Sequence, residues 1–194
     1  CANSYKNYNK LNTMALTATI YKAALNVADM DRGYYADHAL TIAREPSETD
    51  ERMMVRLLAF ARHAHEYLTI AKGVSDADEP DLWRKDLTGQ IEEWIEVGQP
   101  QDERRITRAC GKANQVAVYA FHHAAHIWWA GMAPKVSRCR NLSVYQLPAE
   151  QSQALAKLAQ RSMRLQFAIQ DGSVLVSDDT QNLELHVQVL MQPA

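Results

Sequence analysis

The sequence predicts a mixed α/β domain with antiparallel strands near both ends of the chain and alternating helices and strands between them. Three observations predict it. Apolar residues alternate near the start of the chain and again from Leu183 to Leu190. The run Gln115 to Phe121 is apolar and β-branched, as in a buried strand. A stripe of Met and Leu at helical spacing follows Pro46. The length of 194 residues suits one domain.

The first forty-four residues divide into a polar start and a pair of strands. Residues 1–13 are Asn-rich without helical or strand periodicity, and we expect a leader or a disordered tail there, followed by a natural start at Met14. Alternation predicts a strand from Leu16 to Val27. A turn over Asp29–Gly33 then leads to a second strand, Tyr34–Arg44.

The next segment carries the signature of a helix start. Ser47 is the predicted N-cap, and Asp50 and Glu51 place negative charge in the first turn, where the helix dipole favours it. The predicted core face of this helix is Met53, Met54, Leu57, Leu58 and Ala61. A short strand is predicted over Tyr67–Ala71.

The second half of the chain alternates between the two types of element. In order, the predictions are a helix over Asp102–Ala113, a strand over Gln115–Phe121, a helix over His123–Val136 interrupted at Pro134, a strand over Leu142–Leu147, a helix from Pro148 to Ala159, and strands over Arg164–Gln170, Ser173–Ser177 and Leu183–Leu190. The turn between the first two of those last strands is Asp171-Gly172, a dipeptide typical of tight hairpins.

Composition restricts the class of function. The net charge of -2 argues against a protein whose main role is to bind nucleic acid without sequence preference, because such proteins are usually basic. Any contact with nucleic acid must therefore use a local basic patch. There is no long apolar run, which predicts no membrane span. The three cysteines, Cys1, Cys110 and Cys139, are scattered without a C-x-x-C pair. This pattern favours reduced thiols and a cytoplasmic location.

The segment Glu79 to Pro100 predicts a hairpin with a definite register. A two-residue turn at Thr88-Gly89 makes the numbers of facing residues sum to 177. On one side the facing pairs are Asp81–Glu96, Trp83–Trp94 and Lys85–Glu92, and on the other Leu82–Ile95 and Arg84–Glu93. Most of these pairs are aromatic or oppositely charged, and each such pair stabilises a sheet by about 0.2–1 kcal/mol.

The pair formed by Asp81 and Glu96 departs from that pattern. Facing residues lie about 5 Å apart, so two carboxylates there should repel each other. A bound cation or a proton on one carboxyl would relieve the repulsion, and both are signs of a functional site. In the alternative interpretation the strand ends separate and both side chains reach solvent.

These residues resemble a known nuclease motif. Pro80-Asp81, followed by a strand that ends in Ile95-Glu96-Val97, looks like the core of the PD-(D/E)xK nuclease-like superfamily. The chain from Met14 to Met191 also closely resembles the bacterial YaeQ family, through segments such as MALTATIYKA, YYADHALTIAR, PSETDERMMVRLLAFA, EPDLWRKDLTGQIEEWIEVGQP and LAQRSMRLQ. The resemblance implies a restriction-endonuclease-like mixed sheet flanked by helices. That core would span about 47–147, inside a single domain over 14–194 and beside the extra antiparallel strands of both termini.

The resemblance also implies a metal site. Asp81, Glu96 and the main-chain carbonyl of Val97 would bind Mg²⁺, with Mn²⁺ as the alternative, because oxygen ligands suit these ions. The superfamily has a lysine two residues after the later acid, where this chain has Gly98. This departure affects catalysis more than metal binding.

Candidates exist for the missing positive charge. Some nuclease-like families move the lysine onto the next helix, where Lys112 is the candidate, and Gln99 is a second candidate for orienting water or contacting substrate. Arg105, Arg108 and Lys112 share one helix face by their spacing and are the candidate nucleic-acid contacts. The alternative is that this face is simply solvated.

Three functions follow from these expectations. The first is a nuclease-like domain, active or degenerate, that hydrolyses phosphodiesters or binds DNA or RNA. The second, which the resemblance implies, is a non-catalytic protein associated with transcription elongation or antitermination. In the third, the two acids bind a metal ion only for structural stability.

Overall fold

A computed structural model describes residues 17–71 and 78–194 as two mixed β-sheets and four helices. The predicted leader over 1–13, Met14 and the first residue of the predicted first strand, Leu16, lie outside the described residues. The elements are, in chain order, β1 (Thr19–Asp29), β2 (Tyr34–Arg44), α1 (Asp50–Arg62), β3 (Leu68–Ile70), β4 (Leu82–Lys85), β5 (Ile91–Val97), α2 (Glu103–Lys112), β6 (Ala113–Ala120), α3 (Ala125–Val136), β7 (Leu142–Gln146), α4 (Ala149–Ala156), β8 (Ser162–Gln170), β9 (Ser173–Ser177), β10 (Asn182–His186) and β11 (Gln188–Met191).

The first sheet joins the two ends of the chain. Its strand order is β10-β9-β8-β1-β2, so the predicted antiparallel strands of both termini form one sheet. β1 pairs antiparallel with β2, and β8 pairs antiparallel with β9. The β1–β2 pair joins the strands β8, β9 and β10 through the parallel pairing of β1 with β8. This pairing places Leu25 beside Leu165 and Val27 beside Phe167. Side chains of β1 alternate between buried and exposed, because one face packs on the core.

The second sheet has the order β11-β7-β6-β5-β4-β3. Its centre, β5-β6-β7, is parallel, because α2 and α3 are the crossover connections that return the chain to the same end of the sheet. β3, β4 and β11 are antiparallel to their neighbours and form the outer strands. The buried side chains of β5 and β6 therefore lie between helices on both faces of the sheet.

The predicted strand from Leu183 to Leu190 is wrong in one respect, since the structure divides it. β10 pairs with β9 in the first sheet, whereas β11 pairs with β7 in the second. Val187, buried between them, marks the point at which the chain leaves one sheet for the other. The alternation of apolar residues in the sequence continues through this change to Val189, but burial follows it only in β10, because Val189 of β11 is exposed.

Helix α1 is enclosed on all sides. Every residue from Met53 to Ala61 is buried, including Arg56. The apolar cluster that contains these residues also contains side chains of both sheets, so α1 lies between the sheets, with α4 packed against it. The N-cap is Thr49 rather than the predicted Ser47, because the Thr49 hydroxyl accepts a hydrogen bond from the Arg52 amide.

None of the four helices in the described residues is both long and apolar enough to span a membrane.

The shared core predicts that the two sheets unfold together. The four tryptophans, Trp83, Trp94, Trp128 and Trp129, all lie in the second sheet or in α3, so their fluorescence reports on that part of the protein alone. We expect Leu25→Ala, in the first sheet, to lower the free energy of unfolding measured by tryptophan fluorescence by about 2–5 kcal/mol. Ala24→Ser, at an exposed position of the same strand, should change it little.

The contradicting outcome for Leu25→Ala is specific. Circular dichroism would lose part of its signal in urea while the fluorescence transition stayed at the denaturant concentration of the parent protein, because the first sheet would then unfold alone.

Candidate functional site

The hairpin of β4 and β5 has the predicted register over most of its length. Leu82 faces Ile95 and Arg84 faces Glu93, and the rings of Trp83 and Trp94 meet edge to face with centroids 6.2 Å apart. One residue before β4, the Asp81 amide donates to the Ile95 carbonyl over 3.0 Å. Asp81 and Glu96 therefore lie at the same end of the hairpin, where the strands continue into loops.

The predicted turn and the Lys85–Glu92 pair are wrong. The Asp86 carboxylate accepts hydrogen bonds from the amides of Thr88 and Gln90, and the Asp86 amide donates to the Gln90 carbonyl. These bonds fix a three-residue turn in which Gly89 has φ 88°. The longer turn adds one residue to β5, so Lys85 faces Ile91.

The displaced partners make other contacts. Glu92 accepts a hydrogen bond from the Asn114 amide group at 3.0 Å, and the Lys85 ammonium lies 3.5 Å from the centroid of the Trp83 ring. The hairpin thus keeps its aromatic pair and replaces the predicted ion pair with a cation–π contact.

Asp81 is buried and is held by two donors. One carboxylate oxygen accepts the Arg52 guanidinium at 2.7 Å, and the other accepts the main-chain amide of Val97 at 2.7 Å. Arg52 lies in the first turn of α1, so the helix and the hairpin meet at this carboxylate. The bond from Val97 holds Asp81 against the end of β5.

Glu96 is buried beside it and has a different pair of donors. The Trp94 indole donates to its carboxylate at 2.7 Å, and the Arg105 guanidinium, from α2, lies at 3.0 Å. Burial raises the pKa of Glu96 above its ordinary value and the Asp81 charge adds to the rise, although the hydrogen bonds of Trp94 and Arg105 oppose it. The repulsion inferred from sequence is thus present, and each acid is neutralised by its own arginine.

A third buried acid, Glu48, belongs to the same group. Arg52 binds it at 3.0 Å and Arg56 binds it at 2.8 Å, so Arg52 bridges Glu48 and Asp81. Burial raises the pKa of Glu48 even against these two arginines. Sequence reasoning missed this residue, because an acid in front of a helix looks like a solvent-exposed charge that favours the helix dipole. The available signal was the four-residue spacing of Glu48, Arg52 and Arg56, which places the acid just ahead of the helical face that carries the two arginines.

Glu96 lines an open cleft of about 420 Å³, and Asp81 lies behind its wall, bonded to the wall residues Arg52 and Val97. Its walls include Arg52 from α1, Arg105 from α2, and the loop residues Gln99 and His122. The Gln99 side-chain oxygen is buried, and no donor within the described residues reaches it. A buried acceptor without a partner loses its hydrogen bond to water, so this oxygen is suited to a ligand of the cleft.

Lys112 and Arg108 lie further along α2. The Lys112 ammonium is 3.9 Å from Asp78 and 5.8 Å from the Trp94 ring centroid. Both residues line a neighbouring depression of about 160 Å³, which Arg105 also borders. The structure therefore brings Asp81, Glu96, Val97, Gln99 and Arg105 together, and it places Arg108 and Lys112 beside that group rather than in it.

The ligands that this site could offer a metal ion are few. In the described part of the chain, no group of three or more His, Cys, Asp or Glu side chains is arranged to hold a metal ion. The oxygen donors at the cleft are the Glu96 carboxylate, the Val97 carbonyl and the side-chain oxygen of Gln99, with the Asp81 carboxylate directly behind Val97. A hard ion such as Mg²⁺ takes oxygen ligands and keeps several waters, and this set fits it if the arginines move off the carboxylates.

The backbone conformation of Gly98 explains why this position does not hold the lysine of the nuclease motif. Its φ is 113°, and its amide donates to the Tyr119 carbonyl at 2.8 Å as the chain leaves β5. L-residues rarely adopt this conformation, although the space around the residue would accommodate a side chain. A lysine at this position would strain the backbone.

Cys110 is not suited to nucleophilic chemistry. Burial raises the pKa of its thiol to about 12, and the neighbouring Cys139 contributes to the rise. A thiol with such a pKa is protonated at neutral pH.

Comparison with known proteins gives one consistent family. A family model described as YaeQ protein matches residues 14–187. The protein described as "Uncharacterized protein YaeQ" from Salmonella typhi is 50% identical over 183 residues, which are 93% of this chain and 100% of the relative. The protein of the same description from Escherichia coli K12 is 49% identical over 183 residues, with the same coverage.

Solved structures agree with this result. The crystal structure of a YaeQ protein from Xanthomonas axonopodis pv. citri superposes with a TM-score of 0.88 at 47% identity, covering 91% of this chain and 100% of that one. The YaeQ protein from Pseudomonas syringae gives a TM-score of 0.86 at 38% identity, covering 90% and 97%.

The raised pKa of Glu96 predicts how stability depends on pH. Because the folded-state pKa lies above the unfolded value, the native state holds the proton more tightly, and stability falls as pH rises from about 4.5 through the folded pKa. Glu96→Gln stays neutral and can still accept the bonds from Trp94 and Arg105. We expect the variant to lose this part of the pH dependence and to melt at or above the parent temperature at pH 7.

The measurement is thermal unfolding between pH 4 and 8. Glu92→Gln, on the same strand but outside the cleft, is the matched control and should keep the parent profile. If the melting temperature of Glu96→Gln followed pH in parallel with that of the parent, ionisation of Glu96 would not destabilise the fold and the prediction would be wrong.

Proposed function

Because this chain belongs to the YaeQ family, as its sequence segments predicted, and its relatives are described only as uncharacterized, we propose a function from the cleft itself. The protein is a PD-(D/E)xK nuclease-like domain that binds a divalent cation and the phosphodiester backbone of DNA or RNA at the end of β5. Its reaction is metal-dependent hydrolysis of that backbone.

One observation carries the proposal. Two carboxylates at one end of the hairpin are buried: Glu96 lines the open cleft, and Asp81 lies behind the cleft wall, bonded to Val97 and Arg52 of that wall, although burial raises the pKa of Glu96. Two acids in this position destabilise the fold unless cations accompany them. Buried acids that destabilise the fold in this way are typical of binding or catalytic sites.

The cation ligands in this proposal come from the hairpin and the loop after it. Asp81 and Glu96 supply carboxylate oxygens, Val97 its carbonyl and Gln99 the side-chain oxygen that lacks a donor among the described residues. Mg²⁺, or Mn²⁺ in its place, would lower the pKa of a bound water and offset charge on the phosphate. Gln99 is also positioned to orient a water molecule at the cleft wall.

The two arginines then exchange partners. Arg52 and Arg105 form ion pairs with Asp81 and Glu96, and both also line the cleft. A cation on the carboxylates would free guanidinium groups to bind phosphate oxygens, which suit their planar donor geometry. In this role Arg105 supplies the positive charge that the superfamily takes from its lysine.

A path for the nucleic acid continues along α2. Arg105 borders both the cleft and the neighbouring depression, whose walls include Arg108, Lys112 and the Trp94 ring. A chain of positive side chains at this spacing suits a phosphate backbone without reading its sequence.

The second candidate is a non-catalytic protein of the transcription machinery that keeps the nuclease-like fold. The observation that favours it is the pairing of both acids with arginine, together with a glycine at the lysine position. In that case the ion pairs are structural, and the basic face of α2 or another surface contacts nucleic acid or a protein partner.

Metal titration provides the first test. At a hundredfold excess over Kd, Mg²⁺ or Mn²⁺ should stabilise the protein by about 2.7 kcal/mol, which raises the melting temperature by about 5–10 °C. Asp81→Asn should remove this increase, because it replaces a carboxylate ligand. Glu92→Gln, an acid of the same strand outside the cleft, should keep it. The proposal fails if the cation produces no shift in the parent protein, or an equal shift in Asp81→Asn.

Cleavage assays separate the two candidates. We expect the parent protein with Mg²⁺ or Mn²⁺ to cut single- or double-stranded DNA or RNA, and we expect Asp81→Asn and Glu96→Gln to lose the activity. Arg105→Gln should weaken cleavage more than Arg108→Gln, because Arg105 contacts the acid pair. Metal binding without cleavage, with nucleic-acid binding that depends on Arg108 and Lys112, would favour the non-catalytic candidate.

A further inference from the structure

A second cavity, of about 460 Å³, lies between the two sheets at the opposite end of α1 from the cleft. Where α1 ends at Arg62, the inner face of the second sheet changes from apolar side chains to Arg84, Glu93 and Tyr145. Asp29 of the first sheet lies on the other side. Polar groups line a space that would otherwise hold core residues, as in sites for small ligands.

A chain of hydrogen bonds orders this cavity. Arg62 donates to the Tyr119 hydroxyl at 3.0 Å, the Tyr119 hydroxyl and Nε2 of His63 share a hydrogen bond of 2.8 Å, and Nδ1 of His63 donates to the Glu93 carboxylate. These bonds hold Arg62 and His63 in fixed orientations. No sequence pattern indicates this network, because its members come from the end of α1, from β5 and from β6.

The ionisation states agree with these directions. Burial raises the pKa of Tyr119, so its hydroxyl stays protonated at neutral pH. Burial would also raise the pKa of Glu93, but the hydrogen bonds and charges of His63 and then of Arg84 outweigh it and lower the pKa below the ordinary value. Glu93 is therefore a carboxylate at neutral pH and accepts from His63.

Arg62 differs from the other two arginines of the cavity. Arg32 binds Asp29 at 2.6 Å and Arg84 lies 3.5 Å from Glu93. No carboxylate in the described residues forms an ion pair with Arg62, whose guanidinium stacks 4.6 Å from the centroid of the Tyr145 ring. A guanidinium has five N–H donors, and the bond to Tyr119 uses only one of them.

We infer that this cavity binds a small molecule through a phosphate or carboxylate group, with Arg62 as the principal contact. The guanidinium presents donors in a planar fork that matches either oxyanion, and Tyr145 holds that fork in place. His65 and Ser143 also line the cavity and add hydrogen-bonding groups. The volume lies within the range of about 300–1,000 Å³ typical of small-molecule sites. This site is separate from the cleft and does not depend on the function proposed for it.

Calorimetric titration tests the inference. Inorganic phosphate is one probe and succinate the other, each at constant ionic strength, so that the two possible anion types are distinguished. We expect at least one of them to bind the parent protein, and Arg62→Gln to weaken it about tenfold or more, since a hydrogen bond to a charged group is lost. Arg62→Lys should recover only part of the affinity, because it restores the charge without the fork.

Two controls locate the anion. Arg161→Gln removes an exposed arginine that also lies over a tyrosine ring, 5.4 Å from the Tyr21 centroid, and should leave the affinity unchanged. Arg105→Gln alters the cleft at the other end of α1, so it should also leave the anion affinity of this cavity unchanged. The inference is overturned if neither anion binds, if Arg62→Gln binds within twofold of the parent, or if Arg105→Gln rather than Arg62→Gln removes the binding.

Discussion

The enclosure of α1 between the two sheets is the constraint on which the rest of this structure depends. A helix that is buried on all sides has no access to water, so its charged side chains require partners from the protein. At its first turn Arg52 and Arg56 pair with Glu48, and Arg52 also reaches Asp81. At its last turn Arg62 joins the hydrogen-bonded chain that leads to Glu93. Both polar sites of the protein are therefore built at the ends of one helix.

Charge compensation at the first of these sites uses arginines from two different helices. Asp81 and Glu96 lie at the end of one hairpin, but their partners come from α1 and from α2. The hairpin cannot hold both acids by itself, so the site forms only when both helices have packed on the two faces of the sheet. The guanidinium groups also border the cleft, and the same residues that stabilise the fold are thus available to an anionic ligand.

The sequence predicted what local patterns determine. The β4–β5 register followed from side-chain complementarity between facing residues, and the core face of α1 followed from its period. The predicted turn was wrong because the Asp86 side chain accepts hydrogen bonds from amides of its own loop. Complementarity between facing residues says nothing about such bonds. Glu48 and His63 were not found as site residues, because their roles depend on Asp81 and Glu93, about thirty residues away. The change of sheet at Val187 has no local signal, since the apolar alternation of the sequence runs on to Val189 although that side chain is exposed.

The parallel pairing of β1 with β8 determines the order in which the protein can be completed. Lys22 lies beside Ser162, so the strands that close the first sheet are separated by most of the chain. During synthesis the β1–β2 hairpin leaves the ribosome long before β8, and the edge of β1 stays open until β8 follows. Contacts between such distant segments slow folding, and an unpaired strand edge invites association with other chains. β8 therefore protects the edge of β1, and a chain that ended before β8 would expose an aggregation-prone strand.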